Sequence, residues 1–182
     1  FKEEMILQNL KEEFRNTLNL LQEREKFTDL KEREFEKEII VPMNEKIPVT
    51  FKGKIDALYY NSESKIFKII DYKSGMSFLD ASIMPHGFSL QLPTYLYLLK
   101  NNEDFKTYTC GGFYLQLLFI DKQKCENKVD YEVTKKNALK AIGYSNSNFE
   151  ILGSVDSSYP NSCQIKCLKV KNDGDCYNYS KI

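Results

Sequence analysis

Apolar residues recur at intervals of three and four through the first 26 positions, where Leu7, Leu10, Phe14, Leu18 and Leu21 are separated by polar and charged residues. That spacing collects them on one stripe and predicts an amphipathic helix packing on a core. A coiled-coil seam fits less well, because three heptads are barely available. Asp29 and Glu32 then have the spacing of a capping box, and Phe35, Ile39 and Val41 read as a strand ending near Pro42. Over 49–60 the period drops to two, with Val49, Phe51, Ile55, Ala57 and Tyr59 expected on one side of a strand. Gly53 inside that run marks a bulge or a close backbone approach. A turn cluster at 61–64 and a second strand over 65–73 complete a hairpin, ended by Ser74 and Gly75. Residues 76–88 read as a loop with a short helix. Residues 90–100 read as a helix with Pro93 in its first turn. The strand expected over 108–120 is apolar on both sides and so covered on both faces. A helix over 134–142 is expected to stop at Gly143. Residues 144–182 read as loops with one or two edge strands, such as 163–171. The order predicts an α/β fold with a mixed central β-sheet flanked by helices, not an alternating doubly wound sheet.

Length and composition constrain this picture. With 182 residues, 42% hydrophobic and 29% charged, the chain is expected to form one domain with its own core. It divides into a helical lead-in (1–34), a core (35–120) and a loop-rich extension (121–182). It begins inside a helical pattern and stops without a terminal element, so a piece of a longer protein is expected. No apolar run approaches 18 residues and no signal segment opens the chain, so no membrane is expected. Lys plus Arg and Asp plus Glu both number 26, which excludes a globally basic coat while leaving room for a local basic patch. Five cysteines favour free thiols in a reducing, cytoplasmic setting over a disulfide framework. Cys163, Cys167 and Cys176, a C-x3-C pair plus one distant cysteine, are a weak zinc pattern, and buried free thiols fit better. The single histidine, His86, leaves chemistry to carboxylates, lysine, tyrosine or thiols.

The stretch I-I-D-Y-K-S-G (69–75) is the most informative. Residues i and i+2 of a strand share a face, so Asp71 and Lys73 project together at the end of an apolar strand. By itself this could be an edge-strand ion pair of little energetic weight. The preceding G-K-I-D (53–56), however, places Asp56 roughly across the hairpin from 69–71. Two converging carboxylates repel each other, and a hard divalent cation relieves that repulsion. Two acids, a lysine and such a cation suffice for phosphodiester hydrolysis without histidine.

The G-K-I-D and D-Y-K-S-G segments together resemble the PD-(D/E)xK nuclease superfamily. Gln91 and Tyr95, one helical turn apart in L-Q-L-P-T-Y-L, resemble the Q-x3-Y motif of its RecB-like branch. Within that branch the chain is most similar to the C-terminal nuclease domains of the AddB/RexB line, which are subunits of bacterial helicase–nucleases. The resemblance is firm over 49–99 and loose over the rest of 35–182. It implies a restriction-endonuclease-like core and a Mg2+-dependent DNA exonuclease, with Mn2+ able to substitute. Asp56 and Asp71 would be metal ligands, with the Tyr72 carbonyl a further one, and Lys73 the catalytic lysine. Gln91 and Tyr95 would position DNA or support the site. Glu36 or Glu38 would be a third acidic ligand. Ala57 and Tyr59 stand where the family carries Arg and Asp, and the four-cysteine pattern of an iron–sulfur cluster is missing, so no cluster is expected here. Implied partners are DNA, as single-stranded ends, and a helicase–nuclease partner subunit. A catalytically silent DNA- or partner-binding scaffold of the same fold is the alternative.

Overall fold

The computed structural model describes residues 2–42, 49–75, 79–120, 128–159, 161–166, 168–170 and 176–177. Five strands, β1 (Glu32–Pro42), β2 (Thr50–Asn61), β3 (Ile66–Lys73), β4 (Thr109–Leu117) and β5 (Ile142–Ser145), form one sheet in sequential order. β3 and β4 pair in parallel and the other neighbours antiparallel, which gives the mixed sheet expected from the sequence. Parallel neighbours need a long crossover. Here it carries a 3-10 turn (Ala81–His86) and helix α2 (Gln91–Lys100).

Each sheet face has its own apolar layer. On one, Ile39, Ile55, Leu58, Phe67, Ile69 and Leu115 pack against Leu92, Tyr95, Leu98 and Leu99 of α2. On the other, Leu30, Ala57, Tyr59 and Tyr114 pack against Leu152 and Val155 of a short helix, α4 (Phe149–Val155). A Cβ on Gly53 would meet Leu98 Cδ1 at 2.4 Å, so the glycine lets α2 lie directly on β2, the close approach read from the sequence.

Helix α1 (Lys2–Arg24) forms as the periodicity predicts, but its partner differs from expectation. Thr17 and Arg24 are its buried residues. Leu7, Leu10, Phe14 and Leu18 remain exposed, so the stripe is not absorbed by this core. Arg24 fixes the end of the helix by donating to the carbonyls of Leu139 (2.7 Å) and Lys136 (2.9 Å).

Four further expectations are corrected. No helix follows Asp29; Glu32 begins β1, and its carboxylate accepts hydrogen bonds from the backbone N–H and hydroxyl of Ser62. The helix placed at 134–142 is α3 (Lys128–Ala138), and Gly143 lies within β5, where a Cβ would stand 2.1 Å from the Phe113 carbonyl oxygen. Helix α4, capped by the Asn148 side chain, occupies a region read as loops. Among the described residues, the edge strand expected over 163–171 is present as β6 (Lys169–Val170), paired with β7 (Cys176–Tyr177), and a bridge from Ile165 to Ala141.

β2 also breaks its expected alternation. Ile55 and Leu58 face α2, whereas Ala57 and Tyr59 face α4, so the strand changes sides at Asp56. β1 does the same at Glu36, whose φ is +55°. Glu34 accepts a hydrogen bond from Tyr60 on the α2 face, Phe35 meets the Tyr59 ring on the reverse face, and Lys37 returns to the α2 face over Phe105. The register is unbroken on either side, from Glu32↔Tyr60 to Pro42↔Thr50, and the Glu36–Asp56 rung alone is skipped.

Lys68 is buried on the reverse face at 5% exposure, with its ammonium 3.5 Å from the Val155 carbonyl and 5.2 Å from the Tyr59 ring centroid. Desolvation outweighs the attraction of Asp156 and Glu25 and lowers its pKa from 10.5 to about 8. The unfolded chain therefore binds this proton more tightly than the native one. The penalty is fully present below pH 8 and is relieved as pH rises from about 8 toward 10.5. A displacement of that size corresponds to about 3 kcal/mol. Lys68→Met should thus stabilise the protein at pH 7 by about 1–3 kcal/mol in urea unfolding and flatten the gain in stability above pH 8.

Candidate active site

The hairpin and α2 converge where β2 and β3 separate. Their last shared rung is Ala57↔Ile70. Beyond it the Asp56 carboxylate takes the place of a ladder carbonyl, its Oδ2 accepting the Tyr72 backbone N–H at 2.9 Å. Asp56 thus lies at the fork between the strands, neither deep in the α2 layer nor in the α4 layer.

Asp71 projects from β3 toward α2, and its side chain is only 1% exposed. Lys73, two residues on, shares that face at 30% exposure and forms an ion pair with Asp71 Oδ2. Gln91, at the first position of α2, joins both. Its Oε1 accepts from Lys73 Nζ at 2.8 Å, while its Nε2 donates to Asp71 Oδ1 at 2.6 Å and to the Tyr95 hydroxyl at 3.1 Å. Tyr95, one turn along α2, is buried in the core layer. Four of the side chains singled out from the sequence therefore form one connected cluster, and Asp56 flanks it.

The electrostatics suit a cation. Burial raises the Asp71 carboxyl above its ordinary pKa, Lys73 pulls it down through its hydrogen bond and charge, and the Asp56 charge pushes it up again. The two carboxylates are thus close enough to repel. Asp71 Oδ2 is buried, and among the described residues its polar contact is the Lys73 ammonium. A buried carboxylate repelled by a second acid and balanced by one ammonium is costly to keep ionised, and a divalent cation would stabilise it. Two acids against one ammonium leave a net charge of −1 for such an ion to neutralise. The donor set, two carboxylates, is hard and so suited to Mg2+ or Mn2+.

Other candidates fall outside the cluster. Glu36 pairs with Lys54 and Glu38 with Lys52, at side-chain exposures of 62% and 51%. Among the described residues no group of three or more His, Cys, Asp and Glu forms a potential metal site. His86 is exposed at the end of the 3-10 turn. Cys110 and Cys163 are free thiols. Cys125, Cys167 and the side chain of Cys176 lie outside the described residues. Ala57 and Tyr59 are buried on the reverse face, so the departure from the family's first motif falls away from the cluster. The Tyr72 ring also packs on the reverse face, which leaves its backbone as the part nearest the site. The feature that sequence reasoning missed is the paired change of sides at Glu36 and Asp56. A positive φ at a glutamate leaves no mark in the sequence, as a glycine would.

Among the described residues no helix is long and apolar enough to cross a membrane. The chain resembles curated proteins named as a subunit of an ATP-dependent helicase/deoxyribonuclease. It is 30% identical over 135 residues to that of Clostridium kluyveri, covering 70% of this chain and 12% of the relative. For that of Oceanobacillus iheyensis the identity is 30% over 143 residues, covering 74% and 12%. For that of Alkaliphilus oremlandii it is 23% over 146 residues, covering 75% and 13%. The chain therefore spans about an eighth of the length of these relatives. The model of the PD-(D/E)XK nuclease superfamily matches residues 2–154. With a mixed sheet flanked by helices, and D-Y-K at the end of its third strand, the chain belongs to the PD-(D/E)XK nuclease superfamily.

Proposed function

We propose that this chain is a metal-dependent deoxyribonuclease domain, acting as an exonuclease within a helicase–nuclease used in DNA repair and recombination. The observation that carries this reading is the buried Asp71 carboxylate, paired with Lys73 and repelled by the Asp56 carboxylate. Mg2+, with Mn2+ as a substitute, is the ion of choice, and Asp56, Asp71 and the Tyr72 carbonyl would hold it. Once bound, it supplies charge neutralisation at the phosphate and a more acidic water. The protein's own residues do the rest. Lys73 presents an ammonium to the phosphoryl oxygens as water adds to phosphorus and the bond to the leaving oxygen breaks. Gln91 holds Lys73 in place and Tyr95 holds Gln91. The substrate is single-stranded DNA ends, and the partner is another subunit of the helicase–nuclease, as the names of the relatives suggest.

The lack of a three-ligand cluster among the described residues favours a second reading, a scaffold that binds DNA without cutting it. Incubation of end-labelled single-stranded DNA with Mg2+ or Mn2+ separates the two. Cleavage that vanishes in Asp71→Ala and Lys73→Ala supports the nuclease. Cleavage undiminished in both overturns the assignment, and binding without cleavage in every form establishes the scaffold. Gln91→Leu should lower the cleavage rate by about 10- to 100-fold, as loss of a supporting contact does, while the affinity for DNA stays unchanged. A loss of affinity at an unchanged rate would instead make Gln91 a DNA-binding residue.

A further inference from the structure

We propose that Glu36 is a positioning residue whose backbone, and not its carboxylate, aims Asp56 at the fork between β2 and β3. The proposal rests on the nuclease reading for its consequence, but on geometry alone for its substance.

Regular antiparallel strands alternate sides with period two. Were β1 and β2 regular throughout, Asp56 would share a face with Leu58 and stand out from the sheet. Instead both strands change sides at one rung with no residue inserted in either, since the pairs above and below keep a single register. The Glu36 φ of +55° accomplishes this change in β1. It returns Lys37, Ile39 and Val41 to the α2 face opposite Gly53 and Ile55, so that β2 can turn at Asp56 and remain paired. Asp56 is thereby free to lie along the sheet and accept the Tyr72 N–H. The left-handed region is disfavoured for residues with a Cβ, and a glutamate persists there because the surrounding structure imposes it. The Glu36 side chain is exposed and pairs with Lys54, itself exposed, and among the described residues it makes no contact that explains the backbone conformation.

The test compares Glu36→Gly and Glu36→Asn, which tolerate positive φ, with Glu36→Val, which does not. Hydrogen exchange at the Tyr72 amide, measured by NMR without metal, reports the Asp56 hydrogen bond directly, and Mn2+ titration reports its consequence. Glycine and asparagine should retain the parental protection and Mn2+ affinity. Valine should lose about tenfold in Tyr72 protection. Should valine fail to fold, Glu36→Ala takes its place with the same expected sign relative to glycine. The proposal is overturned if glycine and asparagine weaken Mn2+ binding as valine does, which would make the carboxylate a ligand. It is equally overturned if valine or alanine leaves Tyr72 protected. If the expected exchange pattern appears but the parent cleaves no DNA, the nuclease reading fails and the positioning role stands.

Discussion

Asp71→Asn is expected to abolish divalent-cation binding and to lower DNA cleavage by on the order of a thousandfold, while the fold stays as stable as before or gains up to about 1 kcal/mol. The two effects have opposite sign because the carboxylate serves the site at the expense of the fold. Its side chain is almost wholly buried, desolvation disfavours its charge, and Asp56 repels it. An amide keeps the shape, removes the buried charge and ends the repulsion. The pH dependence follows from the raised pKa. The native state binds the Asp71 proton more tightly than the unfolded chain, so its contribution to stability is present below the ordinary carboxylate range and is lost as pH rises through the raised value. Metal-free protein should therefore lose stability over that interval, and the asparagine variant should not. Urea unfolding against pH, with and without Mg2+, measures all of this. An asparagine variant that still gains stability from Mg2+ and cuts at the parental rate would remove Asp71 from the site.

Much of this site could be read from the sequence because its parts are local. Asp71 and Lys73 share a face by strand alternation, and Gln91 and Tyr95 share one by helix periodicity. The turn at 61–64 brings Asp56 to the same end of the hairpin. What the sequence withheld depends on the rest of the structure. Alternation is expected to run through 49–60, and only the packed sheet shows Ile55 and Ala57 on opposite faces. Amphipathicity locates α1 but cannot say that Leu7, Leu10, Phe14 and Leu18 stay exposed, since a stripe encodes a face and not its partner. Gly143 resembles a helix stop, yet it is required because the Phe113 carbonyl leaves no room for a Cβ. Helix α4, at seven residues, is too short for periodicity to reveal.

Lys73→Met should separate the two tasks that Asp71→Asn removes together. Methionine keeps most of the length and the apolar stem but carries no charge, so cleavage should fall by on the order of a hundred- to a thousandfold. Cation binding should persist or tighten, because the ammonium that competes for Asp71 Oδ2 is gone. Without metal, the variant leaves Asp71 with its Gln91 hydrogen bond and no counter-charge, so the carboxyl pKa rises further and the site becomes less stable when ionised. Added Mg2+ should consequently raise the melting temperature more in Lys73→Met than in the parent. Lys73→Arg should not restore cleavage, since a planar guanidinium cannot occupy the point where Gln91 Oε1 and Asp71 hold a compact ammonium. Cleavage at the parental rate in Lys73→Met would limit the lysine to pairing with Asp71. Loss of cation binding in that variant would mean that the ammonium shapes the cation site itself, because the competition between ammonium and metal predicts the reverse.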